Sequence, residues 1–254
     1  MKQLAAIFLI AAMFFGVNSC KDDSSDPNSL GGSTEIELTE VGSEYGIYFD
    51  FPGDGKGVFN NVKDSVEVTK RENGVVTIKC IFTLDEESLK AVDTLLGTQD
   101  LSEDAKRAIV DGYVERFNAT IDSSDKQNIK LETDITGKIT NEGIQDYVYS
   151  KGDVSKPFTL IKYNAKVGDK YHFTDEAGNK YTREVVSKSS DDDYELGFIK
   201  IKVFKIEETQ PEDPMIEKIT YYANHKFGLV GIEMKMITGK EPSIKIVPWD
   251  VIEY

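Results

Sequence analysis

The chain has 254 residues, with 45 acidic against 30 basic side chains and a formal net charge of −15. That balance argues against nucleic acid and anionic lipid headgroups as the recognised partner, because phosphate contacts need Lys and Arg; it favours a basic partner or a neutral one such as a glycan. About 220 residues follow the N-terminal leader and linker, enough for one large sheet-rich domain or two small ones.

The chain opens with Met1-Lys2-Gln3, which carries one positive charge, and an apolar run of 14 residues from Leu4 to Val17. A membrane-spanning helix needs about 20 residues. A charged start, a short apolar middle and small residues before a processing point mark residues 1–19 as a secretory signal that is removed. Its loss takes away Lys2 and makes the mature chain more acidic by one charge. Val17-Asn18-Ser19-Cys20 resembles the lipobox of bacterial lipoproteins, with Val17 where that motif prefers Leu and Ser19 where it prefers Gly or Ala. The resemblance implies that Cys20 is diacylated before cleavage. Several acyl chains anchor a protein stably, since each buried methylene contributes about 0.8 kcal/mol.

Lys21-Asp22-Asp23 resembles the lipoprotein export signal of Bacteroidota, a lysine and two acidic residues directly after the lipidated cysteine. The resemblance implies display on the outer face of the outer membrane. Residues 20–34, rich in Ser, Asp, Asn and Gly, read as a flexible tether. Residues 35–254 form the body, with a subdivision to be sought near 150–156, at Ser150-Lys151-Gly152-Asp153. The body resembles other sheet-rich lipoproteins without pointing to one family. Asp64-Ser65-Val66 and Asp93-Thr94-Leu95 resemble the triplet that Bacteroidota O-glycosylate, which implies Ser65 and Thr94 as acceptors if they are exposed.

Strands are expected over Glu35–Val41 and Tyr45–Phe51, followed by a turn-rich stretch, Phe51-Pro52-Gly53-Asp54-Gly55-Lys56-Gly57. Val62–Lys70 and Val75–Leu84 read as a hairpin around Asn73-Gly74, a pair suited to a tight turn. In its second strand Val76, Ile78, Cys80, Phe82 and Leu84 share one face. Cys80 there reads as a small buried hydrophobe, since a reactive thiol wants a partly exposed, electropositive setting. With Cys20 committed to lipid, no intrachain disulfide is left to form.

Thr83 with Glu86 resembles a capping box, and Leu89, Val92, Leu95 and Leu96 follow at helical spacing. Gly97 stops that helix and Ser102 caps the next. In the second helix Ala105, Ala108, Ile109, Gly112, Tyr113 and Phe117 form the apolar stripe, with Lys106 outside it. From residue 120 the chain returns to strands, broken at Thr136-Gly137, Asn141-Glu142-Gly143, Glu176 to Asn179 and Asp191 to Asp193. The runs are Lys166–Thr174, Lys180–Lys188, Tyr194–Glu207, Met215–Tyr222, Lys226–Ile237 and Ser243–Tyr254. Ile199, Ile201 and Val203 oppose Lys200 and Lys202; Val230, Ile232, Met234 and Met236 oppose Glu233 and Lys235. Such alternation marks antiparallel sheets with one buried face.

The expected fold is therefore α+β: a large, curved, antiparallel, open-barrel-like sheet with an inserted helical pair. The order of elements resembles the open barrels of lipoprotein carriers. A two-sheet β-sandwich is the alternative.

Chemistry-bearing motifs are sparse. His172 falls on the same strand face as Lys170, toward solvent, and His225 lies in a turn; their separation fits neither a zinc helix nor a Cys/His cluster. There is no nucleophile elbow, phosphate loop or dinucleotide fingerprint, and no cofactor is implied. Asp50 and Asp54, with Asn60, could offer oxygen ligands to calcium, but without the ordered spacing of an EF-hand loop they read first as part of a turn. Tyr181, Tyr194, Tyr221, Tyr222 and Trp249 could stack on sugars or sit in core and edge positions. The leading functional expectation is a lipid-anchored cell-surface protein with a non-catalytic binding or accessory role in an outer-membrane assembly. Partners are then the membrane through the anchor, and other outer-membrane proteins or a glycan. The alternatives are a carrier or sensor of an apolar ligand in a pocket lined by Val230, Ile232, Met234 and Met236, and a glycan hydrolase with two facing carboxylates.

Overall fold

Period-two alternation governs most of the chain, and the strands follow from it. The computed structural model describes residues 28–50, 65–72, 74–86, 90, 98, 101–125, 128–209, 211, 213 and 215–249. Cys20, Lys21, Asp22, Asp23, Asp54 and Thr94 lie outside the described residues. Among those described, one antiparallel sheet contains β2 (Ser65–Glu72), β3 (Val75–Leu84), β4 (Thr120–Asp122), β5 (Ile129–Thr140), β6 (Gly143–Asp146) and β7 (Phe158–Lys162). Its order is β2-β3-β5-β6-β7, with β4 also paired to β5. The other contains β1 (Tyr45–Asp50), β8 (Lys170–Thr174), β9 (Lys180–Lys188), β12 (Phe204–Thr209), β13 (Ile216–Asn224), β14 (Gly228–Met236) and β15 (Ser243–Pro248). Its order is β1-β15-β14-β13-β12-β9-β8. A separate hairpin pairs β10 (Tyr194–Leu196) with β11 (Ile199–Ile201).

The body is sheet-rich and antiparallel as expected, but its strands divide between two sheets rather than forming one curved sheet. The division has a local cause at each seam. Gly168 donates its N–H to Val185 O at 2.8 Å, and Val185 returns the bond to Asp169 O at 2.9 Å. The chain entering β8 is thus committed to β9, and it meets β7 through side chains: the Tyr171 hydroxyl accepts from Lys162 N, and Phe173 stacks on Phe158. At the other seam the segment before β1 joins β2 through the Glu44–Glu67 bridge and through Gly42 N to Val68 O and Val68 N to Ser43 O, at 2.8 and 2.9 Å. Both sheets share one apolar core, built from Val66, Val68, Ile78, Cys80, Phe82 and Leu131 on one side and Val185, Ile206, Ile232, Met234 and Ile244 on the other.

Several local expectations change. Residues 37–39 form a short 3-10 turn instead of a strand; Thr39 Oγ1 bonds back to Ile36 O, competing with a sheet ladder, and the Tyr45 hydroxyl donates to Leu38 O. Thr136-Gly137 is not a turn, because both residues pair across to Thr77 and Val76 of β3. Tyr194–Glu207 is three strands, broken first at Gly197, whose φ is +57°. Residues 147–157 connect β6 and β7, paired neighbours in one sheet.

Helix α1 (Glu103–Arg116) is the second member of the expected helical pair. The Ser102 hydroxyl accepts from Ala105 N at its start, as an N-cap should. Of the first helix, Glu86 and Lys90 are described, in an i,i+4 ion pair of 2.6 Å. The buried face of α1 differs from expectation: Lys106 and Val110 are buried and Val114 half-buried, whereas Ala108 and Gly112 are exposed; Phe117, just past the helix, is buried as expected. The larger apolar side chains remove more surface from water than Ala and Gly do, so they set the rotation of the helix.

Residues 28–34, the last part of the expected tether, lie against the body. Asn28 Nδ2 donates to His172 O on β8, and Asn28 O accepts from Gln145 Nε2 on β6. Leu30 is buried, Ser33 and Asn141 exchange two bonds, and Arg71 donates to Thr34 O.

Candidate functional site

The β9 strand places Tyr181, Arg183 and Val185 on its buried face. Arg183 is a charged residue at a core position, with 1% of its surface exposed. Its Nε donates to Glu208 Oε2 on β12 at 2.7 Å, and its Nη1 pairs with Asp146 Oδ2 on β6. Both carboxylates are fully buried. Glu208 also accepts the Tyr149 hydroxyl and, at 3.1 Å, the Tyr221 hydroxyl. Asp146 Oδ1 accepts from Val148 N at 3.1 Å. The guanidinium lies 3.9 Å from the centroid of the Phe158 ring. One cation therefore faces two carboxylates, and an aromatic shell of Tyr149, Phe158, Phe173 and Tyr181 closes around them.

Electrostatics within this centre follow from burial. Loss of water raises the Asp146 carboxyl above its ordinary value, against the pull of Arg183. Burial works to lower Arg183, but Asp146 and the neighbouring acids hold it well above the usual range. The Tyr149 and Tyr221 hydroxyls are raised by burial and by the Glu208 charge, so they act as donors. A buried ion cluster pays for desolvation only when its partners are complete, and here each carboxylate is met by at least two donors. Asp146 and Glu208 meet Arg183 instead of solvent, so they cannot serve as paired carboxylates of a cleft. Sequence reasoning missed the cluster, although Arg183 shares its parity with Tyr181 and Val185, and Glu208 shares its parity with Phe204 and Ile206.

The residues expected to line an apolar pocket are packed instead. Ile232, Met234 and Met236 lie in the shared core, and Val230 faces the opposite side of the sheet. There the β10–β11 hairpin covers β14 and β15, burying Leu196, Ile201, Val203, Val230 and Val247 together. Gly231 permits this approach, because a Cβ there would fall on the Tyr194 hydroxyl. The aromatic set divides: Tyr181 and Tyr221 enter the charged core, while Tyr194 and Tyr222 stack on each other with centroids 5.0 Å apart. Trp249 stands apart, 41% exposed, beside a cavity of about 670 Å³ whose other walls include Glu37, Glu40 and Glu44.

A smaller cleft, of about 340 Å³, brings together parts of the chain far apart in sequence. Thr77 of β3 and Asp134, Ile135 and Thr136 of β5 form one wall; Phe117 and Asn118 after α1, and Tyr147, Val148, Lys151 and Gly152 after β6, form the rest. Asn118 and Lys151 have φ of +44° and +53°, and among the described residues they are the non-glycine positions with positive φ. Each ends a turn: Ala119 N bonds to Val114 O behind Asn118, and Gly152 N bonds to Tyr147 O behind Lys151. The left-handed conformation costs roughly 1–3 kcal/mol at a non-glycine residue, and such positions gather at ligand sites. The side chains of Thr77, Asn118, Asp134, Thr136 and Tyr147 make no hydrogen bond among the described residues. Burial, aided by the Asp146 charge, pushes the Tyr147 hydroxyl up to about 12.

The remaining sequence candidates are dispersed. Ser65 begins β2, and Asp50 ends β1 on an exposed position. Among the described residues no group of three His, Cys, Asp or Glu side chains is arranged to hold a metal ion. The His172 ring bonds to Thr182 Oγ1 at 3.0 Å on the exposed face of β8, and His225 is exposed in the turn organised by Asn224. Cys80 is fully buried between Val66 and Thr133 of the neighbouring strands.

No protein-family model matches the chain, and no curated protein does. Among solved structures, the fold is similar to a protein from Bacteroides fragilis NCTC 9343 classed as exported, with a YmcC-like fold, at 10% identity and a TM-score of 0.42; the match covers 84% of this chain and 96% of that one. A protein from Parabacteroides distasonis ATCC 8503 classed as a lipoprotein matches at 12% identity and a TM-score of 0.39, over 82% of this chain and 94% of that one. Similarity at this level assigns this chain neither a family nor an activity.

Proposed function

We propose that this chain is a lipid-anchored protein of the outer membrane, facing the cell exterior, with a non-catalytic binding or accessory role. The anchor rests on Val17-Asn18-Ser19-Cys20, and the surface address on Lys21-Asp22-Asp23. The observation that carries the binding role is the filled interior. Arg183, Asp146, Glu208 and their aromatic shell occupy the space between the sheets, while Ile232, Met234 and Met236 are packed in the same core. Close-packed interiors hold no apolar ligand without an open cavity, so recognition falls to the outer surface.

Cys20→Ala should abolish membrane fractionation and leave the body folded, because among the described residues the shared core and the apolar side chains packed on it lie at position 36 and beyond. A variant that still sediments with outer membranes would show that lipid on Cys20 is not the anchor. Replacing Asp22 and Asp23 with Ala should reduce cleavage by protease added to intact cells; unchanged cleavage would reject the surface address.

A further inference from the structure

We propose that the cleft between β3, β5, the end of α1 and the turn after β6 is a binding site for a neutral carbohydrate of one or two sugar rings. The inference deepens the binding role above and rests on it. The cleft, at about 340 Å³, falls at the lower end of the roughly 300–1,000 Å³ of small-molecule sites. Its polar lining is uncommitted: Thr77, Thr136 and Tyr147 contribute hydroxyls, Asn118 an amide and Asp134 a carboxylate, none hydrogen-bonded among the described residues. Tyr147 carries the argument furthest: the residue is only 3% exposed, and its hydroxyl, which has no partner among the described residues, is not one of the enclosed polar atoms and so keeps contact with solvent. A hydroxyl at the end of an otherwise buried ring, able to donate and to accept, is open there to water or to a ligand.

The type of group then selects the ligand. Hydroxyls and an amide both donate and accept, as sugar hydroxyls do, and a carboxylate accepts from two of them at once. Lys151 does not offer a free cation, because its Nζ stands 3.6 Å from Glu115 Oε1. Asp134 lies across the strands from Lys79, which is itself held by Glu132 at 2.5 Å, so the local balance is one negative charge; that disfavours phosphorylated or acidic sugars and tolerates neutral ones. The overall charge of −15 acts in the same direction.

The test is a titration of the full mature chain, in a detergent without a sugar headgroup, with four probes: cellobiose, maltose, lactose and N,N′-diacetylchitobiose. Saturable binding of at least one is expected, read by ligand-observed NMR and calorimetry. Tyr147→Phe removes only the unpartnered hydroxyl, so the melting midpoint should stay and affinity should fall about threefold to tenfold, the loss of one hydrogen bond. Thr136→Val should act in the same direction. No saturable binding of any probe up to about 10 mM, binding indifferent to both variants, or saturation by free serine in place of the sugars would each overturn the assignment. The fractionation of Cys20→Ala is read separately, so failure of the anchor and failure of the cleft are distinguishable.

Discussion

Removing the guanidinium from the charged core isolates what it contributes. In Arg183→Met, which keeps an unbranched apolar stem and removes the guanidinium, two fully buried carboxylates lose the cation between them. Glu208 retains the Tyr149 and Tyr221 hydroxyls, whereas Asp146 retains only Val148 N–H, so Asp146 is the group that takes up a proton. From an ordinary carboxyl value of 3.8, protonation at pH 7 costs about 1.36 × (7 − 3.8), or about 4 kcal/mol. The measured cost of breaking a buried pair, about 3–5 kcal/mol, is of the same size. We therefore expect a loss of about 4 kcal/mol at pH 7, a large part of the 5–15 kcal/mol typical of a domain. The protonation cost shrinks by about 1.36 kcal/mol per pH unit, so at pH 5 the deficit should be about 1–2 kcal/mol. Urea denaturation of the chain lacking residues 1–20, followed by far-ultraviolet circular dichroism at both pH values, measures both quantities. A loss below about 1 kcal/mol at pH 7, or a deficit that does not change with pH, would refute the reasoning.

Asp146→Asn addresses the same centre through linkage. Burial holds the Asp146 carboxyl above 3.8, so its contribution to stability is fully present below the unfolded-chain value and is lost as pH rises through the folded one. Relative to Asp146→Asn, the parent should therefore gain stability as pH falls from 7 to below 4; a constant difference in denaturation midpoints would contradict this. Cys80 is enclosed by Val66, Thr133 and the core, so its thiol should label far more slowly in native buffer than in denaturant. Cys80→Ala should cost on the order of 1 kcal/mol and Cys80→Asp several; equal labelling rates would mean that this strand faces the other way.

What the sequence determined by itself is local. Val75–Leu84 and Lys180–Lys188 were legible to the residue, because strict alternation with one wet face admits a single reading. Cys80 among Ile78 and Phe82, and Ser102 ahead of α1, followed from the same nearest-neighbour physics. Tertiary structure decided everything that depends on which strand lies beside which. Gly168 and Asp169 turn toward Val185, and that choice divides the sheets. Val230, expected on one buried face with Ile232, lies beyond the register shift of the β13–β14 pairing and is buried on the other side of the sheet, under the hairpin that carries Tyr194 over Gly231. Arg183, Glu208 and Asp146, distributed over three strands of two sheets, become one cluster only when the sheets close on each other. The parity of Arg183 and Glu208 with apolar neighbours was a sign of burial that the sequence reading passed over, and parity says nothing of what would meet them. The cleft from Thr77 to Lys151 is of the same kind, built from segments with no shared periodicity. Periodicity encodes the direction of a side chain relative to its own backbone, whereas partners across tens of residues are selected by register and sheet closure, which no local pattern contains.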